Sequence, residues 1–303
     1  MTRRPAPQSD SQATREGPEP KPNQEGRVLL HDGRVLTWAE FGAPTGRPLL
    51  YFHGTLSSRL EAAALHATSK RLGLRLIAVD RPGAGGSTPN RHRTIASFTE
   101  DVRQLLDALD LQQTGLLGIS TGGAYAASVA SQLPERITRL ALVSSMCPPG
   151  TGRRESPSLC LLGWLARVTL LHLWLLAALM AFLVRRRGAR LFREGASSPS
   201  EQRAMARAHH PEILHRAWVE GTRQGALHVA RDARLVLRPW GAALASPECP
   251  IDIWHGLDDP TVPPSAARWF EVQFPTASLH LLADEGHSLM VCHQEEVLSE
   301  FAS

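Results

Sequence analysis

Short apolar runs, each ending in a turn rich in Gly or Pro, alternate along this chain with segments of helical period. Pro48–Phe52 runs into His53-Gly54, and Leu74–Val79 runs into Asp80-Arg81-Pro82-Gly83. Thr114–Ile119, Ile137–Ser144, Pro250–Trp254 and Ser278–Leu282 are runs of the same kind. Between them, residues 58–72, 98–109, 121–133, 265–274 and 288–301 read as helices; 98–109 carries Glu100 and Asp101 in its first turn and apolar residues at spacings of three and four. Upstream, Arg27–Leu30 and Arg34–Phe41 flank Asp32-Gly33, a hairpin signal. Strands apolar on both faces and alternating with helices predict a mostly parallel sheet covered on two sides. From 148 to 245 this rhythm is lost; the stretch is helical in tone and holds the apolar segment Val168–Val184. No repeat period is present.

At 303 residues, with 43% apolar and 20% charged, the composition fits one large α/β domain or two smaller ones. The net charge of +4 is too small to argue for nucleic acid. The densest basic run, Arg185, Arg186, Arg187 and Arg190, follows the apolar segment and so bears on membranes instead. Cys147, Cys160, Cys249 and Cys292 are far apart and form no CxxC or Cys/His cluster, which argues against a zinc site or disulfide framework and for thiols in a reducing cytoplasm. No apolar stretch follows Met1-Thr2-Arg3-Arg4, so no secretory signal is expected. Residues 1–25, with five prolines among Ser, Gln and Glu, read as a disordered tail.

The chemistry begins at Gly118-Ile119-Ser120-Thr121-Gly122, a G-x-S-x-G between an apolar run and a helix-like segment. So tight a turn strains the serine backbone and excludes bulk two residues away, a demand that Gly118 and Gly122 meet. The following helix N-terminus favours negative charge at Ser120. His53-Gly54-Thr55, after an upstream strand, offers a second backbone donor beside the first. The N–H groups of Thr55 and Thr121 are the expected oxyanion pair, with His53 and Gly54 in support. Late in the chain, His255-Gly256-Leu257-Asp258-Asp259-Pro260 and Gly286-His287 each follow a strand. His287 is the expected general base, oriented by one of the two aspartates, because a serine hydroxyl alone is a poor nucleophile.

Two further segments resemble a known family. Asp80-Arg81-Pro82-Gly83-Ala84-Gly85-Gly86-Ser87 is similar to the D-R-P-G-x-G-x-S of α/β-hydrolases, and Gly256–Pro263 is similar to their G-x-x-D-x-x-V-P. The resemblance spans roughly residues 27–147 and 240–302, with Ser, Asp and His in the order of that fold. It implies an eight-stranded, mostly parallel sheet and assigns the acid to Asp259 rather than Asp258. It divides the chain into a core of 26–147 and 246–303 and a helical cap, 148–245, inserted after the sixth strand. Leu56-Ser57-Ser58-Arg59 after His53-Gly54-Thr55 resembles members carrying H-G-x-x-x-S-R, which says little about substrate.

Val168–Val184 ends in Arg185-Arg186-Arg187 and resembles a short membrane span with positive flanks. A single crossing would separate Ser120 from Asp259 and His287, so the favoured reading is a cap helix over the site; a helix dipping into a membrane surface through 168–187 is the other. Either one implies an apolar substrate group. The expectation is a cytoplasmic serine hydrolase, with membrane association through 168–187 as the alternative, monomer or homodimer, that cleaves an ester-like bond of a small apolar substrate, without metal or organic cofactor. Alternatives on the same triad are an acyltransferase, peptidase, C–C hydrolase or cofactor-free haloperoxidase; a non-catalytic ligand-binding homologue is a further one.

Overall fold

The computed structural model describes residues 19–148, 169–196, 198–208, 211–240 and 244–302. Most of the expected N-terminal tail, residues 1–18, lies outside them, as does Val168. Eight strands form one sheet: β1 Gln24–Leu29, β2 Val35–Gly42, β3 Arg47–Phe52, β4 Leu74–Val79, β5 Thr114–Ile119, β6 Ile137–Val143, β7 Ile251–Gly256 and β8 Ser278–Leu282. Their order is β1-β2-β4-β3-β5-β6-β7-β8. β2 pairs antiparallel with both β1 and β4, and every later pairing is parallel. β1 starts at Gln24, just inside the segment expected as tail.

Strict alternation makes both faces of the sheet apolar. Along β3, Leu50 and Phe52 join one core, while Leu49 and Tyr51 join the other. The first core is closed by α2 (Phe98–Ala108), α3 (Thr121–Gln132) and α9 (Ser265–Gln273), through Phe98, Tyr125 and Phe270. A 3₁₀ turn over Arg59–Leu65, α1 (His66–Arg71) and the C-terminal helices α10 (Leu289–Cys292) and α11 (Gln294–Ser299) close the second.

Two expected helices are divided. Residues 58–72 split into the 3₁₀ turn and α1; the turn is drawn onto Asp80, which takes both the Arg59 N–H at 2.7 Å and its guanidinium at 2.8 Å. Residues 288–301 break at His293, which leaves helical geometry (φ −119°, ψ 24°) and places its Nε2 3.2 Å from Glu285 Oε1.

Between β6 and β7 the described chain is helical: α4 Leu170–Arg187, α5 Arg190–Gly195, α6 Pro199–Arg207, α7 Pro211–Gly221 and α8 Ala226–Val236. Among the described residues no helix is long and apolar enough to cross a membrane. The apolar segment forms α4 and buries Leu173, Ala177, Ala181 and Val184, with Leu173 packed on Ala230 and Leu237. Its opposite side remains exposed, so burial accounts for only half of it.

Candidate active site

The turn from β5 into α3 places Ser120. Its backbone sits at φ 54° and ψ −120°, a left-handed conformation that L-residues rarely adopt. Ser120 N–H bonds the Val143 carbonyl at 3.0 Å, while its own carbonyl accepts from Met146 N–H at 3.1 Å. Gly122 is required by close approach, since a Cβ there would lie 2.0 Å from the Phe52 carbonyl oxygen. Thr121 opens α3, so its N–H has no partner within the helix.

The loop after β8 carries His287, and the loop after β7 carries Asp259. His287 Nε2 lies 3.1 Å from Ser120 Oγ, and its Nδ1 lies 2.8 Å from Asp259 Oδ2. Asp259 is buried; its Oδ1 accepts the N–H groups of Thr261 and Val262 at 2.8 and 2.9 Å. Asp258 is exposed. Burial opposes charge on His287, but the Asp259 carboxylate, helped by Glu201 and Glu61, outweighs it and raises the imidazole above its ordinary pKa.

Gly54 lies against Ser120, where a Cβ would be 3.6 Å from Ser120 Cβ. Gly54, Thr55, Ser120, Thr121 and His287 all line one cavity of about 730 Å³. Its remaining wall is mainly apolar and includes Leu173, Leu176, Met180, Ile213, Trp218 and Leu237 from the helical insertion. His53 is buried; burial, then the nearby Arg81, hold it well below its ordinary pKa, so the ring is neutral. Its Nδ1 lies 2.8 Å from the Gly54 carbonyl, and its Nε2 accepts from Arg81 N–H at 3.3 Å. It braces the loop.

Several residues of the site were not assigned a role from sequence. Arg81 is fully buried and donates to the carbonyls of His53 and Gly54 (the latter at 3.2 Å) and to Thr121 Oγ1 at 3.3 Å. It is held in turn by Asp232 of α8, whose Oδ2 accepts from Arg81 Nη2 at 2.8 Å. Asp232 Oδ1 takes Arg93 and the Tyr125 hydroxyl, each at 2.7 Å. Glu201 of α6 accepts the N–H and hydroxyl of Ser288, next to His287, at 3.0 and 2.6 Å. Glu61 lines the cavity and accepts Gly54 N–H at 3.2 Å; burial pushes its pKa above the usual carboxylate value. The D-R-P-G run was a signal for Arg81; Asp232 and Glu201 lie in the insertion, where no motif marks them. Among the described residues no cluster of three or more His, Cys, Asp or Glu could hold a metal ion.

An Asp–His–Ser hydrogen-bonded array at the C-terminal ends of a parallel sheet, with Asp259 and Ser120 buried and His287 half-buried, opens into an apolar cavity and suits acyl transfer through a serine nucleophile. Comparison with known proteins agrees on the fold. The model of the alpha/beta hydrolase fold family matches residues 47–293. Over 131 residues (43% of this chain, 34% of the relative), the chain is 34% identical to a dihydrolipoyllysine-residue acetyltransferase component of an acetoin cleaving system from Pseudomonas putida. Over 127 residues (42% of this chain, 44% of the relative), it is 33% identical to a poly(3-hydroxyalkanoate) depolymerase from Ectopseudomonas oleovorans. The matches therefore span less than half the length of these curated relatives. Among solved structures, an alpha/beta hydrolase fold protein from Nakamurella multipartita superposes with a TM-score of 0.68 at 21% identity, covering 92% of this chain and 99% of that one. With a family match over most of its length and the sheet order described above, the chain belongs to the alpha/beta hydrolase fold family.

Proposed function

We propose that the protein is a serine hydrolase that cleaves an ester of an apolar acyl group, with Ser120, His287 and Asp259 as its triad. The observation that carries this reading is the hydrogen-bonded relay of 2.8 and 3.1 Å ending at a serine that opens into an apolar cavity. Ser120 Oγ attacks the carbonyl carbon while His287 Nε2 takes its proton, and Asp259 holds the imidazole tautomer and stabilises the imidazolium. The N–H groups of Thr55 and Thr121 receive the negative charge that develops on the carbonyl oxygen. Collapse expels the alcohol with the proton from His287, leaving an acyl-Ser120. A water then repeats the sequence, with His287 again as base, and frees the acid. These steps use only groups of this chain.

Hydrolysis of a p-nitrophenyl ester chain-length series tests the reading. Ser120→Ala should retain the fold and lower kcat on the order of 10⁴-fold or more. Medium and long acyl chains should outperform acetate in kcat/KM, because each buried methylene contributes about 0.8 kcal/mol. Leu173→Ser and Leu176→Ser, which make the cavity wall polar, should remove that preference while sparing acetate. An unchanged rate in Ser120→Ala would refute the assignment.

A further inference from the structure

The exposed side of α4 has no explanation in the cavity. Leu173, Leu176, Ala177 and Met180 face the cavity, and Ala181 and Val184 are buried beneath the helix. On the outer side Leu171 (56% exposed), Leu175 (51%), Leu179 (53%) and Phe182 (54%) follow one another at steps of four, four and three, with Trp174 beside them. They form a single stripe along the helix. Large apolar side chains gathered in one exposed patch mark an interaction surface.

Charge identifies what the stripe faces. Residues 170–193 hold five arginines and no acidic residue. Arg186 continues the stripe one turn past Phe182, with its guanidinium 5.4 Å from that ring. Arg185, by contrast, is tied to the carbonyls of Ala181 and Thr222 at 3.0 and 3.1 Å. Arg187 and Arg190 are exposed, Arg187 lying 3.7 Å from the carboxylate of Glu194, the residue after that stretch. An apolar stripe bordered by long cationic side chains suits a bilayer surface: the apolar groups enter the acyl boundary and the guanidinium groups reach anionic headgroups. A second copy of the chain would present another helix of the same sign of charge.

We propose that α4 is an interfacial helix that seats this protein on an anionic lipid surface, with the substrate cavity on the opposite side of the same helix. Seating requires no part of the triad, so it stands independently of the esterase reading.

Flotation of the full chain with lipid vesicles tests it. The protein should float with phosphatidylcholine vesicles containing about one third phosphatidylglycerol, bind pure phosphatidylcholine roughly tenfold or more weakly, and be released by high salt. The triple variant Leu175→Ser/Leu179→Ser/Phe182→Ser, which touches no cavity-lining residue, should lose flotation yet keep wild-type hydrolysis of p-nitrophenyl acetate. Arg186→Glu/Arg187→Glu should weaken anionic binding by roughly tenfold or more. The proposal is overturned if the wild type does not float, if the triple variant floats equally well, or if neutral and anionic vesicles bind alike. It is also overturned if light scattering shows a dimer that the triple variant breaks, because the stripe would then belong to a second copy. Absence of Ser120-dependent hydrolysis alongside normal flotation would refute the esterase reading alone.

Discussion

In the proposed triad, His287 has to be neutral to accept the Ser120 proton, yet its surroundings favour the charged form. Burial works against the imidazolium, but the Asp259 carboxylate at 2.8 Å and the more distant Glu201 and Glu61 together raise the pKa above 6.5. Two consequences follow in opposite pH directions. As the proposed base, His287 is competent only above its folded pKa, so kcat/KM should rise with pH to a plateau, with a midpoint above 6.5. As a pairing group, it stabilises the fold fully below its unfolded pKa and loses that contribution as pH rises through the raised folded value. Asp259→Asn removes the carboxylate and the tautomer control. It should move the pH–rate midpoint downward and lower kcat by about 10⁴-fold. A midpoint unmoved by this substitution would show that Asp259 does not set the charge on His287.

At the scale of elements, the position of Ser120 depends on how closely α3 approaches β3. Gly122 in the first turn of α3 leaves no room for a methyl group, the obstacle being the Phe52 carbonyl at 2.0 Å, with the His53 carbonyl at 2.8 Å from the same point. Both obstacles are backbone, so neither can turn aside. Gly122→Ala should push α3 away from the sheet, destabilising the protein by roughly 1–3 kcal/mol or more in urea unfolding and lowering activity disproportionately. Gly195 at the end of α5 has nothing within 4 Å of the corresponding position. Gly195→Ala should therefore stay within about 0.5 kcal/mol of wild type. Equal stability of the two variants would contradict this account of the turn.

Across the whole molecule, the helical insertion is joined to the sheet by charged and polar contacts as well as by the greasy cavity wall. Glu201 grips the loop of His287, Glu220 of α7 meets Arg59 at 2.9 Å, and Asp232 holds Arg81, which itself holds the loop of His53 and Gly54. Burial would raise the Asp232 pKa, but Arg81 and Arg93 outweigh it and hold the carboxyl far below the usual range. Its contribution to stability is thus complete above the ordinary carboxylate pKa of about 4 and is lost as pH falls below it. Asp232→Asn keeps the shape but removes the carboxylate that pairs directly with two buried guanidinium groups. Unfolding free energy should drop by about 3–5 kcal/mol at neutral pH. In conditions where the variant stays folded, kcat should fall with KM little changed, since the proposed oxyanion loop loses its support while the apolar cavity wall remains. A drop confined to stability would reduce Asp232 to a fold-holding role.

The sequence by itself determined what local pattern can encode. Two-sided apolar runs specified the strands, a serine between glycines specified the strand-to-helix turn, and a histidine and an aspartate after late strands supplied partners in chain order. Those features depend on neighbours a few residues away, through the period of the strand or the sterics of one turn. Only the tertiary structure decided which distant groups meet. Arg81 and Asp232 stand 151 positions apart, and no periodicity links a loop arginine to a helix aspartate. It also decided which side of α4 faces outward. A segment apolar on every side carries no record of its orientation, because the hydrophobic effect has no direction until packing against Ala230 and Leu237 selects one face to bury. The other face, with its border of arginines, became visible as a surface only once the helix was in place.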